Sequence, residues 1–599
     1  MCGISAIFRY TRISDEDLQK LTRMNREMHY RGPDENGVWS DDTCGLAHTR
    51  LSIIGLENGR QPLFSEDKSL VLICNGEIYN YIELKKELEL RGHRFNSDSD
   101  SETILHLYEE YGVQCLEHLR GMFAFCLWDI SKRQLFAARD RIGEKTLYYS
   151  QLPCGVVFST ELKAILHQYT EKPQVDLQQL AVSIRYNYPF DKKNTYINSI
   201  KRIEPGEYIL VGQSGIQFHT YWKPFSLPTF NGTFEQAKAE TLKLMQESVD
   251  ICLRSDVPIG VLLSGGIDSS AIATLAKESG REVHVITAGY KGNYDCDERA
   301  IAKRFAKEKG LIYHEIELDD RDFKNLFWEY SQYIDEPICD VSSMSQWALY
   351  KKAKEMGFTV LLGGLGGDEL FYGYPSTNAL AESLKLSHEH QALFPFKGAE
   401  RKIQFVRFLT KHWRHILFAG YSLGYNTKSV VHWTYEDYKK FVETASFTLG
   451  DERYNFKDAD VYIPLEKSGN EIEQMNYFEF SYFMTMLCLY LADRQGMGNS
   501  VEIRSPLIDY KLVEFVFSLP VEMKYRKGNP KYFLKETLKE LVPDYILNGA
   551  KQGFTPPQDF INELVQNYQY RTLSSEHRFF NSVLADRILD LQLNRHENR

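Results

Sequence analysis

The sequence predicts two domains of different class. An α+β sandwich of packed sheets spans residues 1–210, and an α/β domain built on a parallel sheet follows, with a mostly helical C-terminal part. Three observations predict this. Short apolar runs separated by Gly and Asn fill the first third of the chain. Beyond a polar linker, apolar strands alternate with helices. From about residue 375 the pattern turns helical and rich in aromatics. A chain of 599 residues is too long for one ordinary domain, and 43% hydrophobic with 26% charged residues is a globular balance.

Each element follows from local pattern. Runs at 69–74, 124–128, 134–138 and 155–159 have strand character, and helical spacing marks 15–28, 81–91 and 102–111. Sheets and helices mixed in this way form packed layers. Residues 211–233 form a linker, with Pro and Gly in the run YWKPFSLPTFNGT at 221–233. The second domain covers 234–560. A helix at 234–254 opens it. Strands at 259–263, 283–288, 312–316 and 360–362 then alternate with helices at 269–278 and 298–309, as the crossovers of a parallel sheet require. The apolar stretch 482–492 is too short to span a bilayer and predicts a buried helix. Residues 561–599 are expected to form a charged helical extension.

Composition excludes some functions. Lys and Arg number 71 against 82 Asp and Glu, a net charge of −11. Nucleic-acid binders usually carry the opposite balance. The apolar content is too high for a disordered chain. Ten cysteines include no C-x-x-C pair, which weakens zinc and dithiol readings. The N-terminus lacks a basic start and a long apolar run, so no signal peptide and no membrane insertion are expected. The expected location is the cytoplasm.

The chemistry begins at Cys2. Removal of Met1 would leave a free α-amine beside the thiol, and an amine titrating near ~8 can act as base to its own side chain. Alone, such a cysteine is more often an incidental buried thiol. The motifs Y-R-G-P-D (30–34), H-T-R-L-S-I (48–53), N-G-E-I-Y-N (75–80) and S-D-S-E (99–102) follow it in order. With M-C-G-I at 1–4, the set resembles the class II glutamine amidotransferase domain of the N-terminal-nucleophile hydrolase fold. The resemblance implies that Cys2 attacks the glutamine side-chain amide. Asn75 and the backbone N–H of Gly76 would form an oxyanion hole, worth about 3 kcal/mol per donor. Arg50, beside Leu51, would clamp the α-carboxylate bidentately. Glu77 and Asp100 would hold the α-ammonium and the amide.

A second motif lies at 261–270, V-L-L-S-G-G-I-D-S-S. A strand there enters a Gly-rich turn and then a helix, so backbone N–H groups and the helix N-terminus can hold an anion. No Walker A pattern is present. The S-G-G-x-D-S run resembles the pyrophosphate loop of ATP pyrophosphatases. D-E-P (335–337), L-L-G-G-L-G-G-D-E-L-F (361–371), V-E-I-R-S-P-L-I-D (501–509) and K-Q-G-F (551–554) come after it. Together the chain to about residue 557 resembles the glutamine-hydrolysing asparagine synthetase family.

That resemblance implies ATP as substrate, Mg²⁺ as cofactor and a carboxylic acid acceptor. Ser264, Gly265, Gly266, Asp268, Ser269 and Ser270 would carry the phosphates. Leu263, Ala288, Gly363 and Gly364 would line AMP. Asp268 and Asp368 would share Mg²⁺, since hard cations take oxygen ligands. Lys551, with Lys531 as a second candidate, would neutralise charge on the adenylate. Asp335, Glu502 and Arg504 are expected to be structural. The acceptor carboxylate would form an acyl-adenylate, and ammonia released from glutamine would reach it through an internal channel. A homodimer is compatible with the resemblance.

The family pattern is broken in places. Leu365 stands where the loop S-G-[ED]-G-x-D-E carries an acid, and Gly363 stands where it carries Ser. Asn548 replaces the Arg before K-x-G-F, and the interval 374–490 is long and aromatic-rich. An acid exchanged for Leu near the reacting carboxylate removes charge and hydrogen bonding. The acceptor is therefore aspartate, the family default, or another carboxylate such as a sugar uronate. A relic regulator without catalysis is a third reading, against which the intact Cys2, Arg50, Asn75, Asp268 and Asp368 argue.

Overall fold

Two six-stranded antiparallel sheets stack face to face in the first 220 residues of the computed structural model. The structure describes residues 2–374, 377, 470–549, 556–557, 559–560 and 588, apart from 225–226, 293, 295 and 341, and also the backbone of 446–449 and 452–455. The strands are β1 (Gly3–Arg9), β2 (Glu35–Ser40), β3 (Cys44–Arg50), β4 (Leu63–Phe64), β5 (Leu70–Ile78) and β6 (Gly121–Asp129). β7 (Gln134–Arg139), β8 (Tyr148–Leu152), β9 (Gly155–Ser159), β10 (Ile200–Arg202), β11 (Glu207–Gly212) and β12 (Gly215–Thr220) complete them. One sheet runs β10-β8-β9-β1-β3-β2 and the other β12-β11-β7-β6-β5-β4.

Alternation sorts the side chains into layers. Ile4, Ala6 and Phe8 of β1 point between the sheets, where they meet Val71, Ile73, Ala124 and Trp128. Ile7 points the other way, toward Leu21 and Met24 of the helix Asp15–Glu27. Leu72 and Cys74 of β5 face the helices Tyr81–Leu90 and Glu102–Tyr111 through Leu84, Leu88, Ile104 and Leu107. The order is helix, sheet, sheet, helix. Both faces of β1 are thus covered, which explains why GISAIFR is apolar almost throughout. The expected linker at 211–233 begins too early. Residues 215–220 pair with β11 along their whole length, so the second sheet continues to Thr220.

The second domain is a five-stranded parallel sheet. Its strands are β13 (Ile259–Leu262), β14 (His284–Tyr290), β15 (Ile312–Leu318), β16 (Val360–Leu362) and, after a hairpin of β17 (Ser446–Leu449) and β18 (Glu452–Asn455), β19 (Glu502–Arg504). The order is β15-β14-β13-β16-β19. The chain works outward on one side from β13 and then returns to its other side with β16. The strand ends of β13 and β16 therefore flank a reversal point, where open parallel sheets place their ligands. The helix Ile267–Glu278 follows β13, and the expected buried helix at 482–492 lies within Glu479–Leu489 and Tyr490–Gly498. Among the described residues no helix is long and apolar enough to cross a membrane. The extension at 561–599 lies outside the described residues except for Ile588.

The two domains share one apolar cluster, which runs from Ile7 and Leu21 through Tyr188 and Tyr196 to Tyr330 and Trp347. A charge cluster sits inside the same boundary. Arg31 reaches Glu161 at 3.0 Å and Asp493 at 2.9 Å. Arg494 reaches Glu161 at 2.7 Å and Asp335 at 3.3 Å. Lys163 lies 3.0 Å from Glu161. All six are buried. Removing one partner of such a pair strands the other charge in a low dielectric, which costs about 3–5 kcal/mol. Asp493→Ala should therefore lower the unfolding free energy by about that amount in urea titration, and Asp493→Asn by less.

Candidate active sites

Cys2 enters β1 from the sandwich edge and is 6% exposed. Its backbone N–H donates to Asn75 Oδ1 at 3.0 Å, and its carbonyl accepts from Arg31 Nε at 3.1 Å. The next two N–H groups are held by threonine hydroxyls, Gly3 by Thr49 at 3.2 Å and Ile4 by Thr160 at 3.0 Å. The start of the chain is thus fixed through four backbone groups of three successive residues. Because Oδ1 of Asn75 faces Cys2, its Nδ2 is turned the other way, and it has no protein partner among the described residues. A buried amide donor without a partner is costly unless a ligand completes it. Gly76 lies against β6, where a Cβ would come within 2.1 Å of the Met122 carbonyl oxygen. Only glycine fits there.

Arg50 and Leu51 follow at the end of β3. The Arg50 guanidinium is buried, with Nη1 on Glu35 at 2.7 Å and Nη2 on the carbonyls of Ile54 and Gly55 at 3.0 and 2.7 Å. Burial raises the Cys2 thiol, and a hydrogen bond with the Leu51 backbone and the charge of Arg50 work against that rise. Asp100 accepts from the Ile78 N–H at 2.6 Å and is pushed up to about 6 by burial. Glu77 is raised further, by burial and then by Asp100 and Glu502, with Arg504 3.5 Å away opposing. Cys2, Arg50, Leu51, Asn75, Gly76, Glu77 and Asp100 thus surround one small region.

The second site lies at the reversal point. Gly265 takes φ +75, a conformation that glycine adopts without strain. Ser264 and Ser269 close the turn through hydroxyls 3.1 Å apart, and Ser264 Oγ accepts from the Gly266 N–H at 3.3 Å. No side chain caps the helix that begins at Ile267, so its N-terminus keeps its positive end for an anion. Ser270 is buried in the first turn of that helix. Leu263 and Ala288 line the neighbouring strand ends, where Leu263 donates to Ile286 at 2.9 Å. Gly363 donates to the Arg504 carbonyl at 2.8 Å. The turn after β16 packs directly on Asp268: a Cβ at Gly364 would lie 3.0 Å from Asp268 Cβ, and one at Gly367 2.3 Å from Oδ1.

Lys531 closes this site. Its ammonium bridges Asp268 at 2.5 Å and Asp368 at 2.9 Å. Burial works against its charge, but the two carboxylates outweigh it and hold the proton well above the usual lysine range. Two carboxylates already converge on one cation, so their oxygen donors fit a shared divalent ion. Glu369 beside them is pushed up to about 7 by burial and by Asp368, and accepts from Tyr374 at 2.5 Å.

Residues 1–222 match the family model for a glutamine amidotransferase domain, and 240–599 match that for asparagine synthase. The chain belongs to the asparagine synthase family. Asparagine synthetase [glutamine-hydrolyzing] 1 of Bacillus subtilis (strain 168) is 32% identical over 591 residues, covering 95% of this chain and 89% of that protein. Asparagine synthetase [glutamine-hydrolyzing] 3 of the same organism is 31% identical over 572 residues, covering 92% and 87%. Amidase chry2 of Gibberella zeae is 28% identical over 613 residues, covering 94% and 89%. This asparagine synthase family member is a carbon–nitrogen ligase with glutamine as nitrogen donor.

Some expected residues fall elsewhere. Lys551 and its K-x-G-F run lie outside the described residues, as does most of 375–469. Asn548 bonds Asp544 at 2.6 Å. Asp335 sits in the domain boundary, where its carboxylate accepts from the Leu162 N–H at 2.7 Å, and Glu502 pairs with Arg504 at 2.6 Å, both as structural elements. Leu365 is partly buried against apolar clusters of both domains. The sequence motifs assign no role to Arg31, Thr49 or Thr160, although Arg31 lies within 30–34 and Thr49 within 48–53. Gly76→Ala should cut glutamine hydrolysis by at least about 100-fold, measured as glutamate release, because the added Cβ displaces the strand that carries Asn75.

Proposed function

We propose that Cys2 hydrolyses glutamine and that the ammonia amidates a carboxylate activated by ATP. The observation that carries the first half is the division of Asn75: its Oδ1 accepts from Cys2 and its Nδ2 has no partner among the described residues. The Cys2 sulfur attacks the glutamine amide carbon. Nδ2 of Asn75 and the Gly76 N–H meet the oxygen as it gains charge, and they are already oriented before reaction. Since burial raises the thiol, it needs a base, and the α-amine left after removal of Met1 serves. Ammonia leaves, and water cleaves the thioester to glutamate. Arg50 takes the substrate carboxylate, and Asp100 and Glu77 its ammonium.

At the sheet reversal, the loop 264–270 and the helix N-terminus hold the ATP phosphates. Leu263, Ala288, Gly363 and Gly364 line the adenylate. Asp268 and Asp368 would hold Mg²⁺, which when bound offsets phosphate charge. Lys531, with Lys551, steadies charge at the α-phosphorus. The acceptor carboxylate oxygen attacks that phosphorus and pyrophosphate leaves. Ammonia then attacks the acyl carbon and AMP leaves. Ammonia passes inside the protein, because water would protonate it.

Aspartate is the first acceptor to consider, given asparagine synthetases 32% and 31% identical to this chain. Leu365 favours a second, a larger carboxylate such as a sugar uronate, because an apolar side chain stands in the turn beside Asp368. Cys2→Ala should abolish glutamine-dependent AMP release and spare ammonium-dependent release. Persistence with glutamine would overturn the Cys2 assignment. Scanning acceptors with the wild-type enzyme decides the substrate: AMP and asparagine from aspartate fix the first reading, and AMP with uronates alone fixes the second.

The site also has a pH signature. Asp100 must be ionised to hold an ammonium, and burial pushes its carboxyl up to about 6. The KM for glutamine should rise as pH falls through that value. In Asp100→Asn the part of that rise due to Asp100 should be lost, leaving only the titration of Glu77, with KM raised about 10–100-fold at neutral pH.

A further inference from the structure

We propose that His93, His106 and Glu109 form a zinc site on the outer helical layer of the amidotransferase domain, apart from both candidate active sites. His106 and Glu109 are three residues apart on the helix Glu102–Tyr111, so they share a face. His93 comes from the loop after the helix Tyr81–Leu90. One oxygen of Glu109 lies 2.8 Å from His106 Nδ1 and 3.3 Å from His93 Nδ1. The three ligand atoms all lie within 4.8 Å of one another. Ligands around tetrahedral zinc sit roughly 3.4 Å apart, so a small adjustment admits the ion.

The far side of the His93 ring is built as a metal-bound histidine requires: its Nε2 lies 2.9 Å from Glu110, a carboxylate that fixes the tautomer turning Nδ1 toward the metal. Glu102 stands 3.5 Å from His106 Nε2, close enough to pair with it but without a hydrogen bond. Glu102 is itself locked, accepting from the N–H groups of Asn96 and Ser97 at 2.7 Å each. Arg91 is the cation that approaches Glu110, at 3.2 Å. Glu102, Glu109 and Glu110 outnumber this one guanidinium, which Glu87 also engages at 2.7 Å, and a dication would balance the excess negative charge.

Zinc takes the lone pair of a neutral ring nitrogen, so any proton on that nitrogen leaves to solvent as the ion binds. The bound ion would tie the loop at 91–97 to the helix that begins just after Asp100. Its three protein ligands leave a fourth position to water, on the side where Glu109 is 27% exposed.

The full chain, stripped with chelator, should be titrated with zinc sulfate by calorimetry and with Co²⁺ as a spectroscopic probe. One ion per chain is expected, with a Co²⁺ spectrum free of thiolate charge transfer. His93→Gln and Glu109→Gln should lose that ion while their circular dichroism matches wild type. Glu110→Gln should weaken it about 10-fold. Equal zinc binding by wild type and His93→Gln, no binding by wild type, or a thiolate band that survives in His93→Gln would each overturn the assignment.

Discussion

Arg31 holds the molecule together at its most consequential point. Its guanidinium touches the carbonyl of Cys2, then Glu161 of the same domain, then Asp493 of the other. One rigid planar group thereby fixes the backbone of Cys2, the proposed nucleophile, and the domain boundary together. Lysine could not do this, because a point charge lacks the fork that satisfies three acceptors in different directions. The surrounding charges are balanced: Arg31, Lys163 and Arg494 against Glu161, Asp335 and Asp493. The balance matters because each ion has left water. An apolar boundary of the same volume would be at least as stable, so the cluster is better understood as fixing how the domains meet.

That fixed meeting gives the parallel sheet its function. The reversal between β13 and β16 brings two loops, nearly one hundred residues apart in sequence, against each other. Glycines at 364 and 367 permit the contact, since any side chain would strike Asp268. Asp268 and Asp368 then face one cation, now the Lys531 ammonium. The protein carries a net charge of −11, yet its proposed substrates are anionic or zwitterionic. Attraction must come from local groups, namely a helix N-terminus, Arg50 and Lys531, because the overall field repels.

Much of this was legible in the sequence. The parallel strands, the helix after Gly266 and the helices at 15–28 and 102–111 follow from period alone. The set of residues around Cys2 was legible as motifs, because tight turns and buried polar groups restrict residue choice. What was hidden shares a cause: partners far apart in sequence. β1 is covered on both faces, so it lacks the alternation that marks a strand. β19 was missed because Glu-Ile-Arg looks like surface, whereas Glu502 and Arg504 are buried by pairing with each other. Strand 215–220 is exposed on an edge and so resembles a linker. Arg31 and Asp493 are 462 residues apart, and no local pattern announces their bond.

The pairing of Arg504 extends the argument from assembly to coupling. Arg504 lies on β19, beside β16, and its carbonyl holds the N–H of Gly363, the residue that follows β16. Its guanidinium pairs with Glu502 and stands 3.5 Å from Glu77, one residue past Gly76. One residue therefore contacts the turn proposed to line the adenylate through its backbone, and Glu77 of the proposed glutamine site through its side chain. Burial and two neighbouring carboxylates work to keep Glu77 protonated, and Arg504, followed by the N-terminal amine, opposes them. The buried ion pair with Glu502 holds that guanidinium in place, so the charge beside Glu77 is set by a strand of the other domain.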